Sequence, residues 1–153
     1  VKQKLIDAYM TTAETFAELS HARRLHVGAI VVKDDRIISI GYNGMPAGWD
    51  NNCEDESVEL YSGYEGAIHR TVLKTKPEVL HAETNCIAKL AKSNESGMGA
   101  TMFITHAPCL DCAKLIYQSG IGSVLYRNSY RDTGGIAFLE KSGVTVKQIK
   151  KEK

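Results

Sequence analysis

Two short segments concentrate residue types that bind metals and move protons: His81-Ala82-Glu83 and Pro108-Cys109-Leu110-Asp111-Cys112. Cysteines separated by two residues can direct both sulfurs at one ion, and a ligand from elsewhere in the chain locks the site. His81, Cys109 and Cys112 make three protein ligands, so a tetrahedral zinc keeps a fourth position for water, which is the catalytic arrangement. Glu83 adds a proton carrier. Residues i and i+2 lie ~200° apart around a regular helix. His81 and Glu83 can therefore converge only in front of a helix tip. Glu83 also reads as a first-turn acid that complements the helix dipole; the neighbouring Pro-Cys-x-x-Cys favours the catalytic reading.

The elements that must position these residues follow from periodicity. Residues 5–19 repeat apolar positions at helical spacing, and two β-type runs, 27–32 and 37–42, flank a polar Lys33-Asp34-Asp35-Arg36 turn. Residues 43–77 carry several glycines and no clear period, and are expected to form a long functional loop with room for a helix after Ser57. Helices are expected over 81–92, 109–118 and 136–141, and strands over 100–105, 123–126 and 144–149. Both metal-ligand segments then open helices, whose positive ends favour thiolates. The expected architecture is a single α/β domain over 1–153, a three-layer α/β/α fold around a mixed sheet of about five strands.

Composition narrows the setting. With 153 residues, 43% apolar and 24% charged, the chain suits one globular domain, and its net charge of +1 creates no field for nucleic acid or membranes. No apolar run approaches a membrane span of ~20 residues. Four cysteines are too few for a disulfide framework, and no apolar signal-peptide core stands at the start. A cytoplasmic, reducing setting is the expectation.

The His-Ala-Glu and Pro-Cys-x-x-Cys pair resembles the signature of the zinc nucleobase deaminases. The resemblance runs from residues 27–32 to Tyr130-Arg131-Asp132, nearly the whole chain. Its narrower element, Gly41-Tyr42-Asn43-Gly44-Met45-Pro46-Ala47-Gly48, is similar to the deoxycytidylate (dCMP) deaminases. That resemblance implies the cytidine-deaminase-like form of the fold and hydrolysis of dCMP to dUMP. His81, Cys109 and Cys112 would hold Zn²⁺, with Glu83 shuttling protons as C4 of cytosine is attacked. The backbone at Ala82 would read the pyrimidine edge, and Asn43 the sugar; Asn-Gly is also a turn dipeptide.

Tyr126, Tyr130 and Arg131 are candidates for the phosphate, with Arg127 set below them as a surface charge. Arg23 and Arg24 either favour the first helix's C-terminus or meet a nucleoside triphosphate. The resemblance further implies a homo-oligomer, a hexamer, with dCTP and dTTP as effectors. Their Mg²⁺-bearing triphosphate would lie near Tyr42 and Gly44 at a subunit boundary. Cys53 and His69 are too few to form a second closed zinc site. Cys86 reads as core, His106 as a pocket-lining residue that does not ligate, and His21, His26 and Trp49 carry no motif.

Two other readings stand beside this one. A deaminase acting on tRNA adenosine or single-stranded nucleic acid needs a cationic track. The stretch from Asp50 to Gly66 instead carries Asp50, Glu54, Asp55, Glu56, Glu59 and Glu65 with no Lys or Arg, an arrangement expected to repel a polyanion. The lysines at 147, 150, 151 and 153 read as a solvated tail. The third reading is a non-catalytic zinc-stabilised nucleotide sensor, which would not require Glu83.

Overall fold

The computed structural model describes residues 2–63 and 66–151. Helix α1 (Gln3–Ala17) leads into the hairpin β1 (Gly28–Lys33) and β2 (Arg36–Tyr42), followed by a second hairpin, β3 (Glu54–Gly63) and β4 (Gly66–Thr75). Then α2 (Ala82–Ala91), β5 (Thr101–His106), α3 (Leu110–Gln118), β6 (Ser123–Asn128), α4 (Gly134–Lys141) and β7 (Thr145–Gln148) alternate. The main sheet has the order β2-β1-β5-β6-β7. Strand β1 is antiparallel to both β2 and β5, whereas β5, β6 and β7 run parallel through the helical crossovers α3 and α4.

Strand alternation separates two cores. Ala29, Val31, Met102, Ile104 and Val124 face α2, α3 and α4, where Cys86, Ala113, Ile116 and Leu139 meet them. Ile30, Val32 and Phe103 point the other way, onto Met10 and Ala13 of α1. This is the expected three-layer arrangement. At the tip of the first hairpin Asp34 and Asp35 both take positive φ, as a tight two-residue turn between twisted strands requires.

The long segment after Asn43 differs from expectation. It holds no helix among the described residues; it pairs instead as β3–β4, from Glu54↔Thr75 to Gly63↔Gly66. Val58, Leu60 and Ile68 are exposed on this hairpin, so burial supplies no one-sided hydrophobic alternation to read. Strand β6 also runs two residues beyond its expected end, to Asn128. No helix among the described residues is long and apolar enough to cross a membrane.

Candidate active site

Helices α2 and α3 lie on the same face of the sheet and present their N-termini to one cavity. His81 is the N-cap of α2 and Cys109 that of α3, and neither side chain makes a capping hydrogen bond. Those positions ordinarily favour Ser, Thr, Asp or Asn, worth ~1 kcal/mol per cap. Here they carry ligand atoms. Gly41 on β2 lets α2 settle closely: a Cβ there would strike the Ala82 carbonyl and come within 2.9 Å of the Cys86 nitrogen.

His81 Nδ1 lies 3.2 Å from Cys112 Sγ and 3.8 Å from Cys109 Sγ. The three ligand atoms all fall within 4.8 Å of one another, the only such metal-competent group among the described residues. The electrostatics match that use. The Cys112 thiol and then His81 stabilise the Cys109 thiolate, lowering its pKa to about 4. Cys112, donating toward Cys109 and buried, is pushed up, and His81 is raised, chiefly by its hydrogen bond to Cys109. The pair thus shares one negative charge, and a soft divalent cation is the species that displaces the remaining thiol proton. Two sulfurs and one imidazole are a zinc donor set that leaves a coordination position open.

Glu83, in the first turn of α2, is only 4% exposed. Burial raises its pKa above the usual carboxylate range, which suits a group that must both take and release a proton. His81 and Glu83 do converge in front of the helix tip: both line a cavity of about 290 Å³ together with Ala82, Cys109, Asn43 and His106. Burial lowers the pKa of His106, and its Nδ1 lies 2.9 Å from Thr105 Oγ1.

The cavity wall also contains Tyr130, Arg131 and Arg24. Helix α1 ends at Ala17, well before Arg23 and Arg24, so neither serves its C-terminus. Arg24 enters the same cavity as the metal ligands. Arg23 instead pairs with Glu54 and Glu56 and donates to Asn52 at 3.0 Å. Tyr126 lies within β6, paired with Ile104; its carbonyl accepts from the Ile149 N–H at 2.7 Å, and it is not part of the cavity wall. Arg127 faces α1, paired with Glu14 at 3.2 Å and 9% exposed. It is therefore a buried ion-pair partner, not a solvated charge.

Asn43 lines the cavity while its side chain holds the preceding segment: Nδ2 donates to the Leu25 carbonyl (2.8 Å) and Oδ1 accepts from Val27 N–H (2.9 Å). Tyr42 and Gly44 lie outside the wall, Gly44 bridging Leu80 next to His81. Cys53 precedes β3, whereas His69 sits opposite Leu60 far along the hairpin, so the two do not converge. Cys86 is fully buried in the core, its thiol pushed up to about 12 by burial. Glu54 and Thr75 are polar wall residues that sequence reasoning missed. Glu54 is 1% exposed, yet nothing local distinguishes it from the acids around it.

Three side chains able to hold one metal ion converge beside a buried carboxylate, in an open cavity on an α/β/α scaffold, an arrangement shared with metal-dependent hydrolytic enzymes. Residues 3–128 match the model of the cytidine and deoxycytidylate deaminase zinc-binding region. The chain belongs to that family. It is 35% identical over 155 residues to the deoxycytidylate deaminase of Enterobacteria phage T4, covering 82% of this chain and 80% of that protein. To ComE operon protein 2 of Bacillus subtilis it is 36% identical over 142 residues, 92% of this chain and 69% of the relative. Among solved structures, the dCMP deaminase of cyanophage S-TIM5 in complex with dCMP and dUMP superimposes with a TM-score of 0.84 at 44% identity. That match covers 97% of this chain and 99% of the other.

Proposed function

We propose that this protein hydrolyses dCMP to dUMP and ammonia. The observation that carries the reading is a single cavity lined by His81, Cys109 and the buried carboxylate of Glu83 together with Arg24, Tyr130 and Arg131, with Cys112 completing the metal-competent group. Two guanidinium groups and a phenol suit a phosphate dianion. The T4 and S-TIM5 relatives, named for deamination of this nucleotide, support the same substrate.

In this reading His81, Cys109 and Cys112 hold zinc, which supplies Lewis-acid activation of water for attack at C4 of the base. Glu83 would take one proton from the attacking water and give it to the ring nitrogen, then take the second from the resulting C4 hydroxyl and give it to the departing amine as the C4–N bond breaks, so that water and dCMP become dUMP and NH₃. Ala82, the first residue of α2, has a backbone N–H without an intrahelical partner and offers it to the pyrimidine edge. Asn43 holds the Leu25–Val27 backbone and keeps one amide hydrogen and one lone pair for the sugar. A regulatory nucleotide with Mg²⁺, dCTP or dTTP, would bind outside this cavity, near Tyr42 and Gly44. Arg23 would reach it only by leaving Glu56. None of the four cysteines forms a disulfide, which fits a reducing cytoplasm.

The test compares ammonia release from dCMP, cytidine and an RNA hairpin. Turnover of dCMP should dominate, and Glu83→Gln should keep zinc while losing at least about 100-fold in kcat. Activity confined to RNA would overturn the substrate. No ammonia release from dCMP by the zinc-loaded parent protein would overturn the enzyme.

A further inference from the structure

Residues 20–27, between α1 and β1, form no regular element, yet they carry Arg24 into the cavity wall. Two side chains from distant parts of the chain hold this segment by its backbone. Asn43 binds Leu25 and Val27, as described above. Glu54 binds the preceding pair: its Oε2 accepts the N–H groups of Arg23 (2.9 Å) and Arg24 (3.0 Å). The other oxygen, Oε1, is buried without a hydrogen bond and lies 3.5 Å from Arg23 Nε. Thr75, the residue paired with Glu54 in the first rung of the β3–β4 hairpin, accepts at Oγ1 from the Arg24 guanidinium at 3.3 Å. One rung therefore grips Arg24 at both its backbone and its head group.

The geometry points to Glu54 as a positioning residue that, with Thr75, turns Arg24 toward the nucleotide phosphate. This rests on the dCMP reading above and deepens it. A carboxylate oxygen accepting two consecutive amide N–H groups fixes the peptide orientation on both sides of the Arg23 Cα. Removing it frees the segment, and Arg24 then pays an ordering cost on meeting the phosphate. Among the described residues no hydrogen bond joins Glu54 to His81, Glu83, Cys109 or Cys112; its partners are Arg23 and Arg24, so its loss should leave the chemistry at C4 in place.

The experiment measures kcat/KM for dCMP and for deoxycytidine, which lacks the phosphate, and takes their ratio. Glu54→Ala should lower that ratio about tenfold, through KM, with the deoxycytidine value within about threefold of the parent. Glu54→Gln keeps an acceptor oxygen for both N–H groups and should stay within about threefold of the parent. In a Glu54→Ala/Arg24→Ala double variant the ratio should be no lower than in Arg24→Ala alone, because Glu54 acts through Arg24. Should the alanine variant not fold, Thr75→Val removes the head-group partner alone and should lower the ratio in the same direction. Equal losses on both substrates would reduce Glu54 to a structural role, and additive losses in the double variant would break its link to Arg24. Either result overturns the inference. A parent protein inactive on dCMP is a separate result, visible before any variant is made.

Discussion

Gly135 links α4 to the metal site, and replacing it with alanine should damage both. A Cβ at this buried position would overlap the Pro108 carbonyl and lie 2.9 Å from both the carbonyl carbon and oxygen of Cys109. Normal carbon contacts need about 3.5–4.0 Å, so helix and loop must part by roughly 1 Å. Both colliding groups are backbone and cannot rotate aside. Overpacking of this kind costs about 1–3 kcal/mol, offset by the ~1 kcal/mol that alanine gains over glycine within a helix. The net loss of up to about 2 kcal/mol lowers Tm by up to about 6 °C for a chain of this size. If the loop yields, Cys109 moves away from His81 and Cys112, and zinc affinity falls by about 10–100-fold, as for other disturbed ligand supports. The neighbouring Gly134→Ala is the control, because its Cβ would meet only the Asp132 carboxylate, at 3.0 Å, the end of a movable side chain. That variant should stay within about 0.5 kcal/mol of the parent. Thermal melting of the metal-free protein and zinc competition against a chromophoric chelator read the two effects separately. Gly135→Ala with parental Tm and parental zinc affinity would refute the reasoning.

Arg127→Ala strips Glu14 and the Ile149 carbonyl of a nearly buried partner and should destabilise by about 2–4 kcal/mol in urea unfolding; a loss under about 0.5 kcal/mol would show the pair to be idle. His106 has a folded pKa below the ordinary histidine value of about 6.5 because it is buried. The unfolded chain therefore takes up that proton first. The contribution of His106 to stability is full above pH ~6.5 and is lost as pH falls through the lower folded value. An NMR titration should place the imidazole below 6.5, and His106→Asn should flatten that part of the stability profile.

The metal trio and Glu83 were legible because a short motif places chemically rare residues at helix tips, and local spacing suffices to bring them to one point. The place of Asn43 in the cavity wall was legible for a similar reason, although its structural bonds to Leu25 and Val27 were not. The hairpin β3–β4 was invisible because periodicity records one-sided burial, and Val58, Leu60 and Ile68 face solvent. Tyr126 lies in the strand itself and stays in the sheet, while Tyr130 and Arg131, beyond its end, reach the cavity. Arg24 and Glu54 needed tertiary pairing: an arginine in an irregular segment and one acid among many acquire their roles only when the hairpin's first rung folds over residues 23 and 24.

That pairing also changes the argument about nucleic acid. The stretch from Asp50 to Gly66 looked like an unopposed acidic loop that would repel a polyanion. In the fold, Asp55 stands opposite Lys74 and bonds Lys76 at 2.9 Å, Glu59 stands opposite Arg70, and Arg23 engages Glu54 and Glu56. Much of the acidic charge is matched locally, and repulsion at a distance weakens accordingly. Selection for a mononucleotide then rests on the cavity. Its ~290 Å³ lies near the lower end of small-ligand sites, and under the proposed function Arg24 and Arg131 in its wall would favour a terminal phosphate dianion over a diester of a continuing strand. Discrimination against RNA should consequently persist at high salt, where charge repulsion is screened. Rising RNA turnover with added salt would return the acidic strand to the role its composition first suggested.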